Sequence, residues 1–193
     1  DRYRYDLAGV VIGPENPVMT IHPDWRGPPP PPHGVQFTAL TGCDIAPIDL
    51  RDDKQSAPLM AYTWPDSPIR FARLQAAIAS AKSSPPDLHR ADAADFVEDQ
   101  LRRPQAQGTT RLLMHSLVWQ YLPADQHQRI RQAMEQAGAQ ATPDRPLAWI
   151  SFEANRTLSN NQLTLRSWPN ASETKLLAEA HPHAAWINWL ANS

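Results

Sequence analysis

The sequence predicts an α/β protein: an open, mostly parallel sheet with helices on both faces and an antiparallel hairpin at its C-terminal end. Three observations predict it. Strand-like apolar runs alternate with amphipathic helix patterns from residue 35 to residue 152, the order that crossover helices on a parallel sheet produce. Leu112-Leu113-Met114 is a short apolar run bounded by turns, as a buried parallel strand is. Leu163 to Trp168 and Lys175 to Ala180 are extended runs separated by Pro169-Asn170-Ala171-Ser172, the pattern of an antiparallel pair. At 193 residues the chain reads as one domain, with a hairpin and Pro-rich connector over 1–34 and an α/β core over 35–193.

The elements follow in order. Asp6 to Ile12 and Pro17 to Ile21 are short extended runs, and the turn chemistry of Gly13–Asn16 between them predicts a hairpin. His22-Pro23-Asp24-Trp25-Arg26-Gly27 leads into five prolines, Pro28 to Pro32, which must run extended and cannot join a central strand. That stretch is either a stiff connector or a lid whose Trp25 and Arg26 face a ligand. Val35 to Cys43 alternates as a strand does and runs into Gly42-Cys43-Asp44-Ile45-Ala46-Pro47-Ile48-Asp49, where Pro47 ends the ladder. Asp66 or Ser67 caps the next helix, Pro68 occupies its first turn, and Phe71, Leu74, Ile78 and Ala81 fall on one face. Leu88–Ala91 is a short strand, and Asp92 caps a helix carrying Phe96, Val97 and Leu101. After the apolar strand, Pro123 opens a helix with a stripe of Ile130, Ala133, Met134 and Ala137, and Gly138 is placed to stop it. Leu147 to Phe152 is the next strand, and the chain closes with His181-Pro182-His183, Trp186 and Trp189.

Composition excludes several classes. The net charge is −2, with no basic block, which argues against a nucleic-acid backbone binder. No apolar run approaches the ~20 residues of a membrane-spanning helix. The single cysteine, Cys43, leaves no internal disulfide and no Cys-based zinc site, so a cytoplasmic location is expected. Pro is unusually frequent at 20 residues, while only 7 Gly leave few places for backbone to approach a phosphate. Neither His115 with His127 nor His181 with His183 has a metal-ligand spacing, so no metal is expected. Ser116 lacks the Gly-flanked elbow of a hydrolase nucleophile.

Ligands of open parallel sheets bind outside the carboxyl ends of the strands. The polar groups expected there are Asp44, Asp92 and His115, followed by Trp119 and Tyr121. Asp44 serves either a ribose or the turn before Pro47. Asp92 caps its helix, with or without a contact to an exocyclic amine. His115 is either a satisfied core histidine or a catalyst, and Trp119 and Tyr121 either pack or stack on a ligand.

The strings His115-Ser116-Leu117-Val118-Trp119-Gln120-Tyr121-Leu122-Pro123, Gly42-Cys43-Asp44-Ile45-Ala46-Pro47-Ile48-Asp49, Arg90-Ala91-Asp92-Ala93-Ala94-Asp95 and Asp1-Arg2-Tyr3-Arg4-Tyr5 resemble an uncharacterised bacterial family, a domain of unknown function. The resemblance covers essentially the whole chain. Members of that family look like class I S-adenosylmethionine-dependent methyltransferases in element order. The resemblance implies a methyltransferase-like Rossmann sheet that binds S-adenosylmethionine and transfers its methyl group to an unknown small acceptor. Asp44 and Ile45 would match the ribose side of that cofactor, and Asp92 and Ala93 the adenine side. His115 or Tyr121 would be the base, and Trp25, Arg26 and Trp119 would face substrate. In that family a motif of the form G-A-S-A-G-L-N-L precedes the D-R-Y-R-Y segment. The expectation is therefore a C-terminal portion of a longer protein, lacking the first strand and helix of the fold and binding the cofactor poorly or not at all. A homo-oligomer or partner segment over the exposed sheet is the matching expectation. The alternative function is a non-catalytic binding or assembly module that keeps the fold.

Overall fold

In the computed structural model, strand pairing is divided among three separate sheets. The structure describes residues 2–31, 33–63, 68–155, 157 and 160–191, with the side chains at 171 and 172 excepted. In chain order the strands and helices are β1 Tyr3–Leu7, β2 Val10–Ile12, β3 Met19–Ile21, β4 Asp24–Arg26, β5 Thr41–Asp44, α1 Asp53–Ala61, α2 Pro68–Ser83, β6 Asp87–Arg90, α3 Ala93–Arg102, β7 Arg111–Ser116, α4 Ala124–Gly138, β8 Leu147–Asn155, β9 Asn160–Trp168, β10 Ala171–Ala180 and β11 Trp186–Trp189. A 3₁₀ turn, Trp119–Tyr121, lies between β7 and α4. The chain divides into two compact units, one of Asp1–His22 and Pro30–Ala91, the other of Pro23–Pro29 and Asp92–Ser193.

The first unit holds two small sheets. β1 pairs antiparallel with β2 and parallel with β3. The hairpin turns at Ala8-Gly9, not at the expected Gly13–Asn16. Ala8 and Gly9 both have positive φ, 55° and 83°, as the favoured two-residue hairpin turn needs. Gly13 instead permits a close backbone approach. A Cβ there would sit 2.3 Å from the Tyr3 carbonyl oxygen, so the position admits only glycine. β5 and β6 form a parallel pair from Thr41↔Asp87 to Asp44↔Arg90. The expected strand over Val35–Cys43 is therefore cut to its last residues. Residues 35–40 carry no strand, and Phe37 is 65% exposed. Alternation alone does not make a strand where no neighbour supplies a ladder. Asp52 caps α1 by accepting from the Lys54 N–H, and α2 starts at Pro68 as expected. The proposed caps Asp66 and Ser67 lie outside the described residues, as does Pro32 of the proline run.

The second unit is a six-stranded sheet, ordered β4-β11-β10-β9-β8-β7, with α3 and α4. β7–β8 and β11–β4 are parallel, whereas β8–β9, β9–β10 and β10–β11 are antiparallel. This corrects the expected open, mostly parallel methyltransferase-like Rossmann sheet: the sheet is mixed, and β5–β6 form a sheet of their own. The physical reason is connection length. A parallel pair needs a crossover of about a dozen residues or more, and the links from β8 to β9 and from β9 to β10 are far too short for one. The antiparallel strands expected as an edge ornament thus occupy the middle of the sheet.

The expected buried strand over Leu112-Leu113-Met114 is parallel to β8 but lies at the sheet edge and is buried on one face only. Leu113 packs against the core, while Met114 is 67% exposed. Asp92 caps α3 as expected, its Oδ1 accepting from the Ala94 and Asp95 N–H groups at 2.9 and 3.4 Å. α3 and α4 enclose the core: Ala94 and Val97 meet Ile130, Met134, Leu147 and Trp168. Arg129 clamps the two helices together, its Nε and Nη2 donating to the Glu98 carboxylate at 2.9 and 2.8 Å and Nη2 to Asp95 at 2.6 Å. Gly138 ends α4, but not by a left-handed cap. A Cβ there would lie 2.5 Å from the Trp168 indole, so glycine lets the helix meet that ring.

Candidate functional site

Register in the second unit places one set of side chains on a single sheet face. His115 is opposite Ser151, Leu113 opposite Trp149, Ser151 opposite Thr164 and Trp149 opposite Arg166. Side chains on paired positions share a face. α4 presents Arg131 and Glu135, one helical turn apart, and the 3₁₀ turn adds Trp119. All of these except Leu113 line an open cavity of about 240 Å³.

His115 is held at both ring nitrogens. Its Nδ1 lies 2.7 Å from Glu153 Oε1, and its Nε2 accepts from the Trp149 indole N–H at 3.0 Å. Indole only donates, so Nε2 must be the acceptor and Nδ1 must carry the hydrogen. The ring is then a neutral imidazole donating to Glu153. Glu153 Oε1 also accepts from the Val118 and Trp119 backbone N–H groups at 3.2 and 3.3 Å, which ties the 3₁₀ turn to β8. The Trp119 indole lies nearly parallel to two imidazoles, His115 at 5.0 Å and His127 at 4.4 Å between ring centroids. His127 Nε2 is bonded to the Trp119 carbonyl oxygen at 2.8 Å. A general base needs a lone pair facing its substrate. At His115 that lone pair is already taken by Trp149.

The charges around the cavity are unevenly satisfied. Glu135 gives both carboxylate oxygens to Arg166, and Arg166 lies 4.6 Å over the Trp168 ring. The Arg166 Nε is buried and has no partner among the described residues. Arg131 stands 5.5 Å over the Trp119 ring, and no carboxylate of the described residues pairs with it. Ser151 Oγ and Thr164 Oγ1 are 3.0 Å apart. One hydroxyl donates to the other, which leaves one hydroxyl hydrogen free for a ligand.

The other residues singled out from sequence are scattered. Trp119 joins His115, but Tyr121 of the same turn is 77% exposed. Asp92 has both carboxylate oxygens engaged, Oδ1 by the α3 cap and Oδ2 by Gln126 Nε2, and Ala93 is the first residue of α3. Trp25 and Arg26 lie on β4, at the far edge of the sheet from β7. Five strand spacings of roughly 4.8 Å put them about 24 Å away. There Trp25 stacks on Trp189 at 5.7 Å, and Arg26 pairs with Asp24 at 2.6 Å. In the first unit Asp44 ends β5, exposed. Its Oδ1 accepts from the Ala46 N–H at 2.7 Å, its other oxygen has no partner among the described residues, and Ile45 beside it is exposed.

Sequence reading missed Glu153, Trp149, Ser151, Thr164, Arg131, Glu135 and Arg166. Two signals were available. Trp149, Ser151 and Glu153 alternate along one strand face, and His127, Arg131 and Glu135 recur at four-residue spacing on a helix. Neither signal tells which of its residues meet, because pairing register supplies that.

No curated protein and no solved structure matches this chain. A family model described as "Uncharacterized protein conserved in bacteria (DUF2332)" matches residues 1–189. With nearly its whole length matched, the chain belongs to that bacterial family.

Proposed function

We propose that this chain is a non-catalytic binding module whose second unit holds a small molecule in the cavity beside Trp119. One observation carries the reading: both ring nitrogens of His115 are committed inside the protein, to Glu153 and to Trp149. The group best placed for proton transfer therefore serves as a structural tie. What the cavity offers a ligand is donors and indole surface, which bind without moving a proton. Titration of S-adenosylhomocysteine by calorimetry tests the reading. Absence of heat is expected under both readings, binding module and methyl transfer, so binding is the discriminating result. One-to-one binding that weakens on Asp44→Ala would overturn the module reading in favour of methyl transfer.

That second reading has its own observation. Asp44 sits at the carboxyl end of a parallel strand pair, where ligands of such strands bind, with one carboxylate oxygen open to a ribose hydroxyl. In that reading the reaction would rest mainly on positioning and would need no base from His115. In that case S-adenosylmethionine is the cofactor and the acceptor is a small molecule.

A further inference from the structure

The cavity's chemistry selects a ligand class. This deepens the binding-module reading and rests on it. We propose that the cavity takes a small monocarboxylate with a flat apolar body.

Charge is the first argument. The lining holds two guanidiniums, Arg131 and Arg166, and one carboxylate, Glu135. Glu135 is consumed by Arg166, which leaves Arg131 as the unneutralised group at the cavity. One uncompensated guanidinium calls for one negative charge. Its planar fork suits a carboxylate, which can take two parallel N–H bonds. The Trp119 ring beneath it attracts the guanidinium by a cation–π contact.

Donor count is the second argument. The Ser151–Thr164 hydroxyl pair keeps one free hydrogen. Thr164, which carries one of these hydroxyls, and Ser151 both belong to the lining. Against these stands no free carboxylate among the described residues of the lining, so a cationic ligand finds no partner here.

Size and wall chemistry are the third. At about 30 Å³ per water, a cavity of about 240 Å³ holds about eight waters. A ligand of a similar number of heavy atoms fits. Trp119 and Trp149, tilted 55° to each other at 5.7 Å, form an apolar corner. Such a corner favours a flat ring, which can meet an indole edge to face.

Benzoate is the probe. It is titrated into the full chain while the indole N–H signal of Trp149 is followed by NMR, alongside acetate, benzamide and benzylamine. The proposal predicts saturable benzoate shifts. Acetate, benzamide and benzylamine each bind at least about tenfold more weakly, because each lacks either the flat body or the negative charge. Arg131→Gln weakens benzoate at least about tenfold, the worth of one charge-assisted hydrogen bond. Arg131 is exposed and outside the core, so the variant keeps the fold, and its unshifted core signals verify this. Thr164→Val, which removes a hydroxyl of the lining, weakens benzoate as well. The proposal is overturned by no benzoate binding up to about 10 mM, by benzamide binding as well as benzoate, or by unchanged affinity in Arg131→Gln. Those results remove this ligand class alone. The module reading is tested separately, by the S-adenosylhomocysteine titration.

Discussion

Replacing Glu153 by alanine tests the tie at the centre of the second unit. Glu153 Oε1 accepts three hydrogen bonds: from His115 Nδ1 at 2.7 Å, and from the Val118 and Trp119 backbone at 3.2 and 3.3 Å. The two backbone bonds are long, and Val118 is exposed, so water can replace them. The His115 bond is short, and its side chains are only 12% and 18% exposed. A buried hydrogen bond to a charged group, lost with its donor left unpaired, costs about 2–3 kcal/mol. For a chain of this length that lowers Tm by about 4–12 °C, read by differential scanning calorimetry. Glu153→Gln keeps an acceptor oxygen and should lose about 1 kcal/mol, the difference between a charged and a neutral bond. A Tm for Glu153→Ala within about 1 °C of the parent would refute the reasoning. Equal losses in the two variants would refute it too, because acceptance at Oε1 would then not be the source of the effect.

Other perturbations read other parts of the account. Met134→Ala empties a fully buried position between α3, α4 and the sheet and should cost about 2–5 kcal/mol in urea unfolding, with the denaturant slope unchanged. Gly138→Ala should destabilise although alanine is the better helix former, by about 1–3 kcal/mol, because its Cβ collides with the Trp168 ring; near-ultraviolet circular dichroism should report that ring's displacement. The Arg129 guanidinium hydrogen-bonded to Glu98 holds that carboxyl below its ordinary value of 4.5. A carboxyl lowered on folding contributes stability above its unfolded value, and the contribution is lost as pH falls through the folded value. Arg129→Gln should therefore lose stability at neutral pH and show a shallower acid limb than the parent; parallel acid limbs would contradict the pair. If S-adenosylhomocysteine does bind, Asp44→Ala should weaken it by about 1–3 kcal/mol in calorimetry, and an unchanged affinity would remove Asp44 from that site.

Local signals were readable in the sequence, and non-local ones were not. Asp92 as a cap, Pro68 in a first turn and Pro123 ahead of α4 act within a few residues, and each lies where the sequence places it. Strand partners depend on residues far along the chain. The alternation at Val35–Leu40 finds no ladder, β3 joins β1 in parallel instead of closing a hairpin, and the run around Leu113 becomes an edge. α1 gave little periodic signal, having one buried residue, Ser56, and a proline inside it. Gly138 was legible as a glycine near a helix end, but its reason is the Trp168 ring, 30 residues later in sequence. The site follows the same rule. His115 stood out as a polar residue at a strand end, yet its meaning lies in Glu153 and Trp149, which only the β7–β8 register brings to it. The resemblance to an uncharacterised bacterial family is upheld along residues 1–189, whereas the sheet it implied is not the one observed.

The most direct test of the account is the state of the His115 ring. Nitrogen-15 NMR of histidine side chains, assigned with His115→Gln, distinguishes the two neutral tautomers. The account predicts a single Nδ1–H tautomer at about pH 7, with Nε2 coupled to the Trp149 indole hydrogen and the coupling absent in Trp149→Phe. A ring protonated at Nε2, or one exchanging between tautomers as an exposed imidazole does, would contradict it and return His115 to the role of a free base.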